Sequence, residues 1–324
     1  MKFTRYFLIC ISIFLWISCG SDKDVKDILS KSDALLQSNP DSAFTLLESV
    51  EELDVLSDET FAAWCLANAN VRDILFKEPL STDYMLRAFN YFKNKGRINE
   101  QARIGMFLGH AYNASQQRDK AMNIYLVALD LADRSQDYNL AGYINTYLAD
   151  QYKFEEKYNQ AKEKYQEAAT YFEKANNLRS RVIAMTNTGF MSFFLKENDN
   201  IVLNYYTLSD SLALELKDSV VSSMVNNRIA LFYRVQEKYD LAEKYLLKSM
   251  EYSKGDNIPN YITLSNIYGL QGKIDKSREL LQNISQSESN PEAKAGLIYQ
   301  QYLVEKEEKN WGKALEYYEE SMAY

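Results

Sequence analysis

The chain has 324 residues, a formal net charge of −8 and a single histidine. An acidic chain is repelled by nucleic-acid phosphates and by anionic lipid headgroups, so neither is a nonspecific partner, and one histidine excludes a histidine-built metal cluster. Four prolines and eleven glycines are few for a sheet protein with many turns, and the apolar positions follow helical spacing nearly throughout.

The chain opens MKFTRYFLICISIFLWIS, with Lys2 and Arg5 ahead of an apolar run from Tyr6 to Ile17, and Cys19 follows. The run is too short for a membrane span and reads as a secretory signal. With Ser18 before the cysteine, residues 1–18 resemble the signal peptide of bacterial lipoproteins. That resemblance implies lipidation (palmitate and related acyl chains) at Cys19, residues 19–24 as a polar tether, and a lipid-anchored place in the cell envelope at the outer membrane. Each buried acyl methylene contributes roughly 0.8 kcal/mol to such an anchor. Cys10 leaves with the signal, and Cys65, in FAAWCLANA, reads as a small buried hydrophobe, so no disulfide framework is expected.

Residues 25–100 read as divergent helical hairpins. Val25 to Val50 form one pair around Ala34, Ala43 and Leu47, broken at Ser38-Asn39-Pro40-Asp41. Phe61 to Phe76 and Thr82 to Lys95 form another, split by Glu78-Pro79-Leu80.

From 101 to 324 one spacing recurs. Gly109 and Tyr112 lie on a first helix and Ala121, Tyr125 and Ala128 on a second; Ala149, Tyr152, Ala161, Tyr165 and Ala168 repeat them. The same offsets give Ala230, Tyr233, Ala242, Leu246 and Ser249, then Ser265, Tyr268, Ser277, Leu281 and Ile284. Between these, Gly189 and Tyr205 hold the register while Ser192, Ile201 and Leu208 depart from it; Ala314, Tyr318 and Ser321 close the series. Trp64 and Trp311 are assigned to packing within hairpins. A small residue lets a neighbouring helix approach, and an aromatic ring fills the adjacent hollow.

This pattern resembles the tetratricopeptide repeat. The resemblance implies an all-α, right-handed superhelical solenoid of antiparallel helix hairpins. Seven hairpins would cover nearly all of the processed chain. Starts at 102, 142 and 182 are 40 apart, longer than the roughly 34 of that family, so the surplus must lie in longer helices or links. As a whole the chain looks like the tetratricopeptide lipoproteins of Bacteroidetes-like bacteria.

In the repeat family, partners contact the inner wall lined by first helices. Carried onto this sequence, the groove positions are Arg103, Met106, His110 and Asn113, then Tyr143, Thr146, Asp150, Lys153 and Phe154, then Thr186, Phe190, Asn227, Arg234 and Asn266. Rigid aromatics and amides suit a protein or peptide ligand. Some relatives clamp a terminal carboxylate; Arg103, Lys153 and Arg234 would serve here, while Asp150 and Met106 depart from that pattern.

No enzyme or cofactor is expected. Gly272-Lys273-Ile274 lacks the upstream glycine and following hydroxyl of a phosphate loop. Tyr112 and Ser115 fall on other sides of the helix from His110. The reading is therefore an envelope-anchored, non-enzymatic scaffold for a protein or peptide, binding no nucleic acid. The alternatives are the input module of a signalling protein, suggested by a last helix without a polar cap, and an accessory protein of glycan uptake.

Overall fold

The computed structural model describes residues 22–253 and 258–323, and among them the backbone forms helices and no strand. Two compact units divide the chain, Met1–Asn176 and Asn177–Tyr324. The first holds α1 (22–35), α2 (Pro40–Glu48), α3 (Asp58–Ile74), α4 (Thr82–Lys95), α5 (Ile98–Ala114), α6 (Arg118–Arg134), α7 (Tyr138–Phe154) and α8 (Tyr158–Lys174). The second holds α9 (Leu178–Phe194), α10 (Asp199–Leu216), α11 (Ser219–Val235), α12 (Tyr239–Tyr252), α13 (Ile258–Leu270), α14 (Ile274–Ser287), α15 (Pro291–Glu307) and α16 (Trp311–Ser321). Within each unit successive helices pack pairwise as hairpins and the hairpins stack, so the architecture is an all-α solenoid of helix hairpins. The described residues hold eight hairpins rather than seven, α15 and α16 forming the last.

The long period has a simple origin. Helices α5 to α8 each have 17 residues and begin at 98, 118, 138 and 158, leaving three-residue links. In each link the middle residue is left-handed: Gln116 (φ 60°), Gln136 (φ 57°) and Glu156 (φ 57°). The Gln116 amide donates to the Asn113 carbonyl at 2.9 Å and the Gln117 amide to the Tyr112 carbonyl at 2.8 Å. Gln136 and Asp137, and Glu156 and Lys157, repeat both bonds. This is a Schellman closure, which satisfies the orphan carbonyls of one helix while the next residue already begins another. The surplus over the usual repeat therefore sits in helix length.

Side-chain caps fall mainly on first helices. Ser57, Asp137, Asn177, Asp218 and Asn290 accept the free amides opening α3, α7, α9, α11 and α15.

Within the first unit, small residues on first helices face rings from second helices. A Cβ on Gly109 would overlap the buried Tyr125 ring, and one on Gly142 would lie 2.6 Å from Phe172 Cε1. Trp64 fulfils its packing assignment, donating from Nε1 to the Leu47 carbonyl at 2.9 Å and so tying α3 to α2. Cys65 is buried, and desolvation pushes its thiol well above the ordinary range.

The second unit explains the degenerate copies. The link from α9 to α10 spans 195–198, one residue longer than the three-residue links, and every core position of α10 moves by one. Val202, Tyr206, Ser209 and Ala213 are buried, whereas Ile201 and Leu208 are exposed, so Tyr206 rather than Tyr205 is the packed ring. In the α13/α14 hairpin, Ser265 and Ser277 replace the usual alanines and join Oγ to Oγ at 2.8 Å, satisfying two buried hydroxyls. Trp311 corrects its packing assignment: as the first residue of α16 it is 63% exposed.

Two stability predictions follow from the links and the glycines. A non-glycine residue in the left-handed region costs about 1 kcal/mol, so Gln136→Gly and Glu156→Gly are each expected to stabilise the chain by about 0.5 kcal/mol net of glycine's unfolded-state entropy. Urea denaturation midpoints that fall in both variants would refute the turn analysis. Separately, Gly142→Ala is expected to cost about 1–3 kcal/mol by driving a methyl into Phe172. Gly269→Ala, with nothing within 4 Å of its added methyl, should gain up to about 1 kcal/mol of helix propensity; thermal melts of the pair read the contrast.

Candidate functional site

In the first unit, α3, α5 and α7 are the first helices of successive hairpins, and their C-terminal ends enclose a cleft of about 360 Å³ with the segment after α3. Ala69, Arg72 and Asp73 come from α3, Lys77, Pro79 and Leu80 from the connecting segment, and Met85 from α4. Phe107, His110, Asn113 and Ala114 come from α5, Tyr125 from α6, and Tyr147, Asp150 and Gln151 from α7. The 40-residue period sets His110 and Asp150 at equivalent places on adjacent first helices.

His110 organises the aromatic wall. Its ring meets Tyr147 edge to face at 4.4 Å, Phe107 at 5.8 Å and Tyr125 at 5.9 Å, and Tyr125 stacks on Tyr147 at 5.8 Å. Its Nδ1 faces Asp73 Oδ1 at 3.8 Å, while Nε2 is buried without a hydrogen-bond partner. Desolvation lowers the imidazole to about 4 and pushes the Asp73 carboxyl up. The hydroxyls of Tyr125 and Tyr147 are raised too, first by burial and then by neighbouring groups that include Asp73 and Asp150. At neutral pH the ring is therefore neutral and the phenols are protonated.

Around the cleft, side chains hold one another. Gln151 Nε2 donates to Asn113 Oδ1 at 3.1 Å, and Gln151 Oε1 is buried without a partner. Asp150 Oδ1 accepts from Lys153 Nζ and from Tyr165 Oη, each at 2.5 Å. Arg72 donates from Nε to Asn68 at 2.6 Å, from Nη1 to the Glu78 carbonyl at 2.8 Å and from Nη2 to Glu48 at 3.0 Å. The Lys77 ammonium lies over the Phe44 ring at 4.6 Å.

Of the residues named from sequence, the cleft gathers His110, Asn113 and Asp150. Arg103 is exposed and pairs with Asp137 at 3.5 Å. With Lys153 on Asp150, both cations of the first unit named for a carboxylate clamp already face an acid. Met106 and Thr186 are packing residues, 5% and 0% exposed, and the Thr186 hydroxyl is bound to the Val182 carbonyl at 2.8 Å. Tyr143 sets its ring against Phe172, Thr146 donates to the Gly142 carbonyl, and Phe154 lies under the Arg118 guanidinium at 3.6 Å. In the second unit, Phe190 lies under Arg228 at 3.9 Å, Asn227 donates to Asn260 and Asn266 accepts from Gln300, both at 2.6 Å, and Arg234 is half-buried.

Sequence reasoning missed Arg72, Asp73, Lys77, Tyr125, Tyr147 and Gln151 as site residues. The signal is Arg72-Asp73, the only charged residues of FAAWCLANANVRDILF. Tyr125 was read only as a packing ring, since a spacing argument does not distinguish a ring facing a cleft from one facing a core.

A family model for the soluble NSF attachment protein, SNAP, matches residues 40–185, under half of the chain. No curated protein matches the sequence. Among solved structures, the chain is similar to the apo form of RapI (TM-score 0.57, 17% identity, 79% of this chain and 94% of that one). It is also similar to a Rap protein complexed with Competence and Sporulation Factor (TM-score 0.56, 13% identity, 93% and 97%). A third is PH0952 from Pyrococcus horikoshii, a signal-transduction ATPase with numerous domains and a tetratricopeptide repeat sensor (TM-score 0.62, 12% identity, 93% of this chain). The chain spans about half of that protein, 52% of its length. Identities this low show a shared fold.

These findings correct the lipoprotein reading. The similar structures named above are Rap proteins and a signal-transduction sensor, none of them described as a lipoprotein of Bacteroidetes-like bacteria. That recognition falls, with its membrane partner, its lipid anchor and its outer-membrane location; the repeat resemblance stands. Met1 to Ser18 and Cys19 lie outside the described residues, and among the described residues no helix is long and apolar enough to cross a membrane. The misreading came from a short motif in which Trp16 already stands where lipoprotein signals usually carry a smaller aliphatic residue.

The buried imidazole makes stability depend on pH. Its folded value, about 4, lies below the unfolded 6.5, so between those values the unfolded chain takes up a proton that the folded chain refuses, and stability falls as pH drops. Asp73, whose carboxyl is raised, acts in the opposite sense and offsets part of the loss. Relative to His110→Gln, the parent chain is expected to lose roughly 2–3 kcal/mol more across this window. Urea midpoints that change in parallel for the two proteins would contradict the assignment.

Proposed function

We propose that the chain is a non-enzymatic repeat scaffold that binds a peptide or an extended segment of another protein, with the α3, α5 and α7 cleft as its contact. The observation that carries this reading is the pair of buried acceptors, His110 Nε2 and Gln151 Oε1, left without partners in an aromatic-walled opening. Buried polar atoms are nearly always paired, so two orphans lining one cleft point to a ligand that completes them. The Rap structure complexed with Competence and Sporulation Factor supports the reading, as a complex formed on the same fold.

A second reading, the sensory input module of a regulatory protein, is favoured by the similarity to PH0952, whose tetratricopeptide repeat is a sensor. Both readings use the same cleft and differ in what occupancy controls. Display selection of random peptides on the full chain is expected to enrich binders that crosslink to a photoreactive residue placed at the exposed Asn113. They should fail to crosslink from Val220, an exposed position of the second unit. Selected peptides that crosslink from Val220 and not from Asn113 would move the site elsewhere.

A further inference from the structure

The polar groups of the cleft share one deficiency. Gln151 is 8% exposed, and its amide nitrogen is committed to Asn113, so the orphan Oε1 can only accept a hydrogen bond. A neutral imidazole facing a carboxylate carries its proton on that side, which leaves Nε2 of His110 with a lone pair and makes it the second orphan acceptor. The Asp73 carboxylate, 43% exposed, lies 3.8 Å from this neutral ring at the mouth of the cleft. The cations nearby are engaged elsewhere: Arg72 by Asn68, Glu48 and the Glu78 carbonyl, and Lys77 by the Phe44 face. The wall also holds the rings of Tyr125 and Tyr147, stacked on each other, and aromatic rings attract positive charge.

We infer that the cleft selects an organic cation, an alkylammonium or guanidinium group such as a lysine or arginine side chain or a peptide's amino terminus supplies. Asp73 neutralises its charge, Gln151 Oε1 and His110 Nε2 accept its N–H groups, and the tyrosine rings enclose its stem. An anionic or purely apolar group leaves the acceptors unpaired and the carboxylate uncompensated, so the same walls reject it. This inference rests on the cleft being the binding site of the preceding section, but it concerns the chemistry of the bound group and is testable without any peptide.

His110 is the only histidine in the sequence, so its Cε1–H resonance is a single, assignable reporter inside the cleft. The full chain is titrated with N-acetyl-lysine methylamide, N-acetyl-arginine methylamide and glycylglycine amide, and with the norleucine and glutamate counterparts of the first. A saturable shift is expected with one or more of the three cations, and which of them responds identifies side-chain ammonium, guanidinium or amino terminus as the source. The norleucine and glutamate compounds should bind at least about tenfold more weakly. Asp73→Asn should remove the preference for cations and Gln151→Leu should weaken it, with the resonance itself reporting that each variant is folded. Equal responses to lysine and norleucine, a stronger response to glutamate, no saturable response to any cation, or a cation preference that survives Asp73→Asn would each overturn the inference. A failed peptide selection alongside a cation-specific shift removes the peptide reading and leaves the cation site; enriched peptides lacking any dependence on a cation do the reverse.

Discussion

A left-handed residue closes helix after helix in this chain, and the rest of the architecture depends on that closure. At Gln116, Gln136 and Glu156 in the first unit, and at Lys196, Glu237, Gly272 and Lys309 in the second, φ turns positive and the following helix begins two residues later, or three after Lys196. A link this short permits only antiparallel neighbours in contact, so helix length alone determines which side chains meet. The α10 hairpin makes the point by exception. One extra residue before Asp199 moves the buried set to Val202, Tyr206, Ser209 and Ala213.

Packing then follows the sizes available at each contact. Where a first helix offers glycine, a whole ring enters from the second, as Tyr125 does at Gly109 and Phe172 at Gly142. Where the small positions are serine, the approach is kept and the hydroxyls bond to each other, as Ser265 and Ser277 do. Both solutions keep the helices in close approach, but only the serine pair tolerates substitution poorly for a polar reason: truncating one hydroxyl strands the other.

The cleft at α3, α5 and α7 departs from this economy. Two acceptors stay buried and unpaired, at a cost of about 1–3 kcal/mol each by the usual desolvation penalty, and a carboxylate is raised by burial beside a neutral imidazole. Elsewhere in the same unit the Trp64 indole bonds to the Leu47 carbonyl and the Ser32 hydroxyl to the Ala43 carbonyl, while Asn145 Oδ1, outside the cleft lining, is buried without a partner. What sets the cleft apart is that two such acceptors line one opening, the physical mark of a surface made for something outside the chain.

The repeat was legible because its physics is local. The small residue, ring and small residue at fixed offsets encode helix faces, and the breaks at Asn39-Pro40 and Glu78-Pro79 encode where helices stop. These sufficed for the hairpins and for the all-α solenoid. They did not reveal that Ile201 and Leu208 would face solvent, because the shift arises in a link whose left-handed Lys196 carries no glycine to announce it. Nor did family positions separate Met106 and Thr186, which are packed, from His110 and Asp150, which open on the cleft; the columns are equivalent along each helix but not in what the neighbouring hairpin covers. The short signal-like start misled for the related reason that a brief motif carries little structural constraint. Periodicity decided the helices, since each needs only its own residues. The cleft was decided by Asp73, His110 and Gln151, which are remote in sequence and converge only once three hairpins have stacked, and no spacing rule reports which polar atoms will then be left without partners.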